Sequence, residues 1–215
     1  MNRYKITIRT VSPLCLSSGK ADVNVDAEIV HDEYGMPYFP GKRLKGLLYE
    51  SALEVSEMAA LCNVPFMTKQ TVEELFHHTI SSSVQLIIPN LYLPDYEKMI
   101  QDWKSIQTVF SSIVRPADVL DYYTSLRFQT AIDKKTGVAM EHSLRNTRVL
   151  HSGIIFTGYI GLDGEEDRHL QALALAVQNL RRAGLHRNRG FGQIECRIEH
   201  QDDLIRQALH KGGRK

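Results

Sequence analysis

The stretch EEDRHLQALALAVQNLRRAGLHRNRGFGQIECRI, residues 165–198, contains a helix pattern, a glycine-rich break and a strand pattern in succession. Residues 165–183 place apolar side chains at spacings of three and four, which predicts an amphipathic helix. Residues 191–198 alternate apolar and polar side chains, which is typical of a half-buried strand. Upstream, residues 148–161 also predict a strand. The second half of the chain is therefore expected to fold as strand, helix, strand.

The first half of the chain repeats this order. Residues 4–9 (YKITIR) alternate polar and apolar side chains and predict a strand. Following a Pro-Gly pair, residues 42–62 carry apolar side chains at helical spacing. Residues 84–93 favour a strand, which Pro89 makes bulged or places at a sheet edge. Two strand–helix–strand units predict an α+β fold with a ferredoxin-like (RRM-type) core, whose helices cover one face of an antiparallel sheet and leave the other face and the loops for binding.

The remaining predicted elements lie between and after these units. They are a polar loop at 16–26, a short strand at 27–30, a turn at 32–37, a second helix at about 72–78, a helical insertion at about 95–125 interrupted near Pro116, a strand at 126–132, an exposed arm at about 130–149 and a short C-terminal helix. The sequence has no fixed-period repeat. The whole chain, 1–215, is expected to form one domain.

Composition excludes some classes of protein. With 215 residues, 43% hydrophobic and 24% charged, the chain can form a packed core and is not a disordered protein. Lys plus Arg is 26 and Asp plus Glu is 25, which does not fit a generic polybasic nucleic-acid binder. The charges are nevertheless segregated: acids concentrate at 50–74, 95–102 and 163–167, and bases at 42–45, 134–148 and 181–189. This segregation points to RNA.

Cysteine usage and hydropathy indicate the compartment. Cys15, Cys62 and Cys196 lie far apart without a C-x-x-C pair, which argues against a disulfide framework and against a structural zinc site. The first 13 residues lack the apolar core of a signal peptide, and no apolar run reaches the roughly 18 residues of a membrane span. We expect a cytoplasmic protein with no membrane partner.

The most unusual segment is AGLHRNRGFG, residues 183–192. Glycines allow a ligand to approach the backbone closely, and arginine offers planar donors that suit phosphates and stack on bases. The alternative is a helix C-cap followed by a solvated basic loop, which explains one glycine but not three. The candidate residues for phosphate or RNA contact are Gly184, His186, Arg187, Arg189, Gly190 and Gly192.

Two further basic segments are candidates for contact with an anion. Lys42, Arg43 and Lys45 lie in the first turns of a predicted helix, where cations oppose the helix dipole. These three residues could contact an anionic partner or could simply be solvated at the start of the helix, and the sequence does not distinguish the two. In the arm, Arg145 and Arg148 belong to a basic excursion, which favours partner contact over a plain surface loop because of its length.

Asp26 is the remaining candidate, and it ends the small polar loop. A lone loop aspartate is usually structural or solvated. The sequence has no Ser/His/Asp order, Walker loop, H-E-x-x-H or zinc-ligand spacing. The residues taken singly therefore do not establish an enzyme.

Taken in order, four segments resemble the RAMP superfamily of CRISPR–Cas proteins, and within it the backbone subunits of type III effector complexes. LCLSSGKADVNVD (14–26) is similar to the family's loop that ends in an aspartate, and PYFPGKRLKGLL (37–48) to its Pro-Gly-x-x-Leu-Lys-Gly element. TAIDKKTGVAMEHSLRNTRVLHSGIIFTG (130–158) is similar to the thumb hairpin, and AGLHRNRGFG to the glycine-rich loop. Each motif is loose, but the ordered set is specific.

The resemblance implies a guide-RNA-binding backbone subunit with metal-dependent endoribonuclease activity on target RNA, acting in antiviral defence. Asp26 matches the family's catalytic aspartate and would contact a divalent ion, Mg²⁺ or Mn²⁺, while Asp32 matches a second acidic position. The implied partners are guide RNA, target RNA, other effector subunits and copies of this chain. The implied RNA-binding residues are Lys20, Lys42, Arg43, Lys45, Arg145, Arg148, Gly184, His186, Arg187, Arg189, Gly190 and Gly192.

The chain departs from the family pattern in two places. Tyr49 and Glu50 follow the two leucines, where many relatives carry an arginine, and Glu141 with His142 makes the arm more similar to type III-D subunits. Some related subunits there cap the 5′ end of the guide, so a non-catalytic RNA-binding or end-capping subunit is the alternative. A repeat-processing ribonuclease, which uses an early histidine, ranks last, because His31 is the sole early histidine and lies beside a turn.

Overall fold

A computed structural model of the protein describes residues 1–19, 25–62, 67–76, 84–110, 113, 115–164, 166–187 and 189–212. The strands are β1 (Asn2–Thr10), β2 (Gln85–Ile87), β3 (Thr124–Gln129), β4 (Arg145–Leu150), β5 (Ile155–Asp163) and β6 (Ile194–Ile198). The helices are α1 (Gly41–Leu61), α2 (Lys69–Phe76), α3 (Tyr96–Phe110), α4 (Pro116–Tyr123), α5 (Asp167–Asn179) and α6 (Gln201–Gly212). None of the described helices is both long and apolar enough to cross a bilayer.

The main sheet has the strand order β2-β5-β1-β6, and every neighbouring pair is antiparallel. β1 lies in the centre, where Ile6 pairs with Gly158 of β5 and Ile8 pairs with Cys196 of β6. With α1 between β1 and β2, and α5 between β5 and β6, this is the β-α-β-β-α-β arrangement of the ferredoxin-like fold. The predicted fold class is therefore confirmed.

The core forms on one face of this sheet because the strands alternate as the sequence predicts. In β1, Ile6 and Ile8 are fully buried, whereas the side chains between and around them are exposed or half-buried. The helices α1 and α5 supply the other half of the core. The fully buried residues of these two helices include Leu44, Leu48, Ala52, Leu173 and Val177. The opposite face of the sheet is left open.

The start of α1 is fixed by packing against the loop that follows β2. A side chain at Gly41 would place its Cβ 2.1 Å from the carbonyl oxygen of Ile88, so only glycine fits there. The Gly41 N–H donates to Oδ1 of Asn90 at 2.9 Å. One of the free N–H groups at this helix end is thereby satisfied within the chain.

Between β2 and β5 the chain adds α3, α4 and a separate hairpin, β3–β4. α4 begins at Pro116, which suits a first helical position because it lacks an N–H. The hairpin pairs Thr124 with Leu150 and Gln129 with Arg145, and it continues as an exposed arm. The helices fall within the predicted insertion, and the hairpin strands start at 124, before the predicted arm. The division into insertion and arm stays a prediction.

Several sequence predictions differ from the observed elements. The strand predicted at 84–93 is limited to Gln85–Ile87, and the strand predicted at 126–132 is Thr124–Gln129. Residues 148–161 are not one strand: β4 and β5 belong to different sheets, and the chain turns between them at Gly153, whose φ is +87°. Residues 27–30 form isolated bridges rather than a strand. The helix predicted over 165–183 ends at Asn179, because Leu180 adopts an extended conformation. The end of the helix predicted at 72–78 lies outside the described residues.

Candidate nucleic-acid interface

The glycine-rich loop, residues 183–192, joins α5 to β6 and is anchored on the segment that follows β1. The Leu185 N–H donates to the carbonyl of Cys15 at 2.9 Å, and the Gly192 N–H donates to that of Pro13 at 2.8 Å. The Ala183 N–H closes the loop on the carbonyl of Gly192 at 2.8 Å. Backbone bonds therefore hold the base of the loop in one conformation.

The three glycines of this loop have different reasons to be glycine. All three have positive φ angles, between +77° and +81°. A Cβ at Gly184 would lie 2.4 Å from the carbonyl oxygen of Cys15, and one at Gly192 would lie 2.0 Å from that of Ala183. At Gly190 no described atom would lie within 4 Å of an added Cβ. Packing thus accounts for two glycines, and Gly190 lies on open surface where a ligand can approach.

The cationic side chains of the loop are exposed at its tip. His186 has a φ of +58°, and the turn closes with the Arg189 N–H donating to the His186 carbonyl at 2.8 Å. The Arg182 guanidinium braces the turn by donating to the carbonyl of Arg187 at 2.7 Å. Arg187 also lies 3.8 Å from the carboxylate of Glu50 on α1. The turn therefore presents Arg187 and Arg189 to solvent on a braced backbone.

Two adjoining cavities lie between this loop and α1. The first, about 450 Å³, is lined by Arg43, Gly184 and Arg187 among others. The second, about 910 Å³, has one basic wall and one wall from α1 that carries Glu50 and Glu54. The basic wall is formed by Arg181, Arg182, His186, Arg187 and Arg189. The structure thus brings the basic start of α1 and the glycine-rich loop to one surface.

The α1 cations differ in their exposure. Lys42 and Arg43 are exposed and Lys45 is half-buried. The first turn of α1 contains no acidic residue. Because Asn90 and the backbone of Ile88 cover the beginning of α1, an anion would be held chiefly by side chains here. Lys20 lies outside the described residues.

Asp26 is clamped to the foot of the arm. Its N–H donates to the carbonyl of Asn146 at 2.9 Å, and the Asn146 N–H donates back to its Oδ2 at 2.6 Å. A parallel bridge between Ala27 and Thr147 continues this pairing. No local signal in the sequence identifies Asn146 as the partner of Asp26, because 120 residues separate the two. The exposed carboxylate of Asp26 is therefore fixed where the arm leaves the domain.

The Asp32 carboxylate stabilises the turn in which it lies. Its Oδ1 accepts from the N–H groups of Tyr34 and Met36 at 2.9 and 2.8 Å, and its Oδ2 accepts from the Tyr96 hydroxyl at 2.6 Å. Burial, together with the bond to Asp32, raises the pKa of Tyr96. Both carboxylate oxygens of Asp32 are thus engaged in holding the turn to α3.

The two candidate arginines of the arm lie in different surroundings. Arg148 is 15% exposed and binds Glu28 at 3.1 Å, Thr124 Oγ1 at 3.0 Å and the carboxylate of Asp121. It ties the loop after Asp26 to α4 and the hairpin. Arg145 is exposed at the start of β4. An RNA contact for either residue stays a prediction.

A divalent ion would find few protein ligands here. Among the described residues, no group of three or more His, Cys, Asp or Glu side chains is placed to hold a metal. Asp26 brings a single carboxylate with one oxygen already accepting a hydrogen bond. Mg²⁺ in nucleic-acid sites is commonly bound through one or two carboxylates, with phosphate and water oxygens completing its shell. The described residues fit that arrangement and do not form a protein-only cage.

The topology and the glycine-rich loop define a ferredoxin-like protein with a braced basic surface beside an exposed arm. A family model described as the RAMP superfamily matches residues 7–195. The chain belongs to the RAMP superfamily, as the motifs predicted. No curated protein matches the sequence.

Two cryo-EM structures are similar in fold. One is described as the Type III-B Cmr-beta bound to cognate target RNA, with a TM-score of 0.64 and 13% identity over 95% of this chain and 99% of that chain. The other is the apo state of Type III-B Cmr-beta, with a TM-score of 0.63 and 14% identity over 94% and 98%. At this identity the likeness establishes the fold.

Proposed function

We propose that the protein is a guide-RNA-binding backbone subunit of a type III CRISPR effector complex that cleaves target RNA through Asp26, in antiviral defence. The observation that carries this proposal is the clamp of Asp26 to Asn146 at the foot of the arm. Membership of the RAMP superfamily supports it, as does the fold shared with chains of Cmr-beta structures, one of which is bound to cognate target RNA.

In this proposal the guide lies across the surface shared by α1 and the glycine-rich loop. Phosphates would contact Arg43, Arg187 and Arg189, whose guanidinium groups suit bidentate contacts. Gly190 would let the sugar–phosphate backbone approach, since the space above it is open. The contacts are to phosphate, so this surface would hold guides of any sequence.

Cleavage would occur where the arm opens the target strand. The Asp26 carboxylate, held by the Asn146 N–H, would orient the 2′-hydroxyl of the splayed nucleotide or hold the divalent ion. The ion, Mg²⁺ or Mn²⁺, supplies charge neutralisation at the scissile phosphate when bound. One carboxylate is modest machinery, so most of the rate would come from positioning the RNA.

Protein partners are supported by exposed apolar side chains. On α3 and just after it, Ile106, Val109, Phe110 and Ile113 follow helical spacing and are 43–71% exposed. Exposed apolar side chains grouped in this way along the sequence are typical of an interaction surface. We propose that other effector subunits or copies of this chain cover it.

The decisive experiment is a denaturing gel of the assembled complex with complementary target RNA, with and without Mg²⁺. Asp26→Asn removes the charge but keeps an oxygen that can accept the Asn146 N–H. It should retain assembly and RNA binding and lose cleavage. Asp202→Asn, on α6, removes a charge from another exposed residue and should cleave as the wild type does. Cleavage by Asp26→Asn at the wild-type rate would show that the catalytic assignment is wrong.

A non-catalytic RNA-binding or end-capping subunit is the second candidate. It is favoured by the engagement of the Asp26 carboxylate, one oxygen of which already accepts the Asn146 N–H. The same gel separates the two, because a non-catalytic subunit binds target RNA and leaves it intact in every variant.

A further inference from the structure

The open face of the main sheet carries a row of cations along its central strand. In β1, Arg3, Lys5 and Arg9 are exposed and alternate with the buried Ile6 and Ile8. Because side chains at alternate positions point to the same face, the three cations share the face turned away from the helices. Neighbouring positions on that face are about 6.8 Å apart along the strand.

An exposed aromatic ring lies beside this row. Tyr159 of β5 pairs with Lys5 in the sheet and is 48% exposed. The Arg3 guanidinium lies 5.3 Å from the centroid of its ring. This cation–π contact orients the ring on the open face.

The side chains of the three β1 cations form no ion pair with a carboxylate in the described part of the chain. Arg197 pairs with Glu195 at 2.9 Å, and the N-terminus pairs with Asp163 at 3.2 Å. Glu195 is also the cross-strand neighbour of Arg9, and the Glu199 carboxylate accepts from the backbone N–H of Lys5 at 3.2 Å. Within the described ranges, no carboxylate lies within 4.0 Å of a side-chain nitrogen of Arg3, Lys5 or Arg9. The face therefore carries more cations than carboxylates, and the excess lies along β1.

We infer that this open face binds single-stranded RNA, with Arg3 and Lys5 contacting neighbouring phosphates, Arg9 contacting a phosphate further along the strand, and Tyr159 stacking on a base. Single-strand binding surfaces combine a positive track for the backbone with aromatic side chains for the bases. The inference rests on the proposed function for RNA as the partner, and it uses none of the residues of the glycine-rich loop or of Asp26. The test also shows whether the face instead binds a protein or stays exposed to solvent.

The test measures binding of a fluorescein-labelled 12-nucleotide oligouridine to the full chain by anisotropy over a range of salt concentrations. The open-face variant is Arg3→Ala/Lys5→Ala/Arg9→Ala. The charge-matched control is Lys69→Ala/Lys98→Ala/Arg206→Ala, which removes three exposed cations from α2, α3 and α6. Losing three phosphate contacts should lower the slope of log K against log salt by about 2, and the control should keep it.

The ring is tested separately. Tyr159→Ala should weaken binding roughly 5- to 150-fold, and Tyr159→Phe should bind as the wild type does, because stacking needs the ring and not the hydroxyl. Photocrosslinking of 4-thiouridine RNA to the wild-type chain should label the β5 peptide that contains Tyr159. This readout does not depend on any variant folding.

The outcomes separate this inference from the proposed function. An open-face variant that matches the control in affinity and slope overturns the inference, even where Arg187→Ala/Arg189→Ala loses binding. If that loop variant binds as the wild type and the open-face variant does not, the proposed loop contact is wrong and the inference stands. A wild-type chain that binds no oligouridine overturns the inference, as does an open-face variant that keeps RNA and loses effector subunits.

Discussion

Replacing Gly192 by alanine is expected to destabilise the protein more than replacing Gly190, although both glycines lie in the same loop. Both have left-handed backbone conformations, with φ angles of +77° and +81°. An added Cβ at Gly192 would lie 2.0 Å from the Ala183 carbonyl oxygen, whereas at Gly190 it would meet no described atom within 4 Å. The pair therefore separates backbone strain from steric clash.

The left-handed conformation costs a non-glycine residue about 1–2 kcal/mol, which is the whole cost expected for Gly190→Ala. At Gly192 the backbone of the loop must also move away from Ala183, and overpacking of this kind costs about 1–3 kcal/mol more. The expected loss of unfolding free energy is therefore about 1–2 kcal/mol for Gly190→Ala and about 2–5 kcal/mol for Gly192→Ala. For a chain of this size, each kcal/mol lowers Tm by about 2–4 °C.

Urea unfolding followed by circular dichroism, with thermal melts as a second measurement, gives both values. The wild-type m-value should be kept, since neither change alters the surface exposed on unfolding. Equal destabilisation by the two substitutions would refute the reasoning that Gly192 is fixed by its contact with Ala183. Oligouridine binding is the functional readout: Gly192→Ala, by moving the base of the loop, should also weaken binding at temperatures where it is folded.

Two further predictions concern residues whose burial decides their behaviour. Arg148→Met should lower the unfolding free energy by about 1–3 kcal/mol in urea titrations, less than a fully buried pair would cost, because it strands the partly exposed Glu28 carboxylate. A double-mutant cycle with Glu28→Gln that gives zero coupling would contradict this role. Iodoacetamide at pH 8 should label the exposed Cys62 in the native protein and all three cysteines after denaturation, as measured by mass spectrometry. Burial raises the pKa of Cys15 to about 11 and that of Cys196 to about 12, so native labelling of either would contradict the structure.

The sequence predicts the core because each of its elements has its own period. β1 alternates, α1 and α5 repeat at helical spacing, and β2 lies at the sheet edge and ends at Ile87, two residues before Pro89. The sequence does not show where β4 ends and β5 begins, and the reason is physical. Both segments favour extended backbone, and only the partners of each strand, which are distant in sequence, assign them to different sheets.

Candidate site residues were predictable where composition is unusual and unpredictable where partners are distant. The glycines and arginines of 183–192 stand out in the sequence, but the contact that fixes Gly184 comes from Cys15. The turn at Asp32 was evident from its composition, whereas the hydroxyl of Tyr96 that occupies its carboxylate was not. In both cases the residue stands out in the sequence, but the group that contacts it lies more than 60 residues away along the chain.

Glu50 belongs to the segment of α1 where the chain departs from the family pattern, and its carboxylate competes with a guide phosphate for Arg187. Its carboxylate lies 3.8 Å from Arg187, and the side chains are 65% and 46% exposed, respectively. Exposed pairs of this kind contribute about 0–1 kcal/mol and are screened by salt. A phosphate offers Arg187 a bidentate, charge-assisted contact, which is about twice as strong as a neutral hydrogen bond. The phosphate should therefore displace Glu50, and the cost to RNA affinity is the missing arginine after the leucines rather than a blocked Arg187.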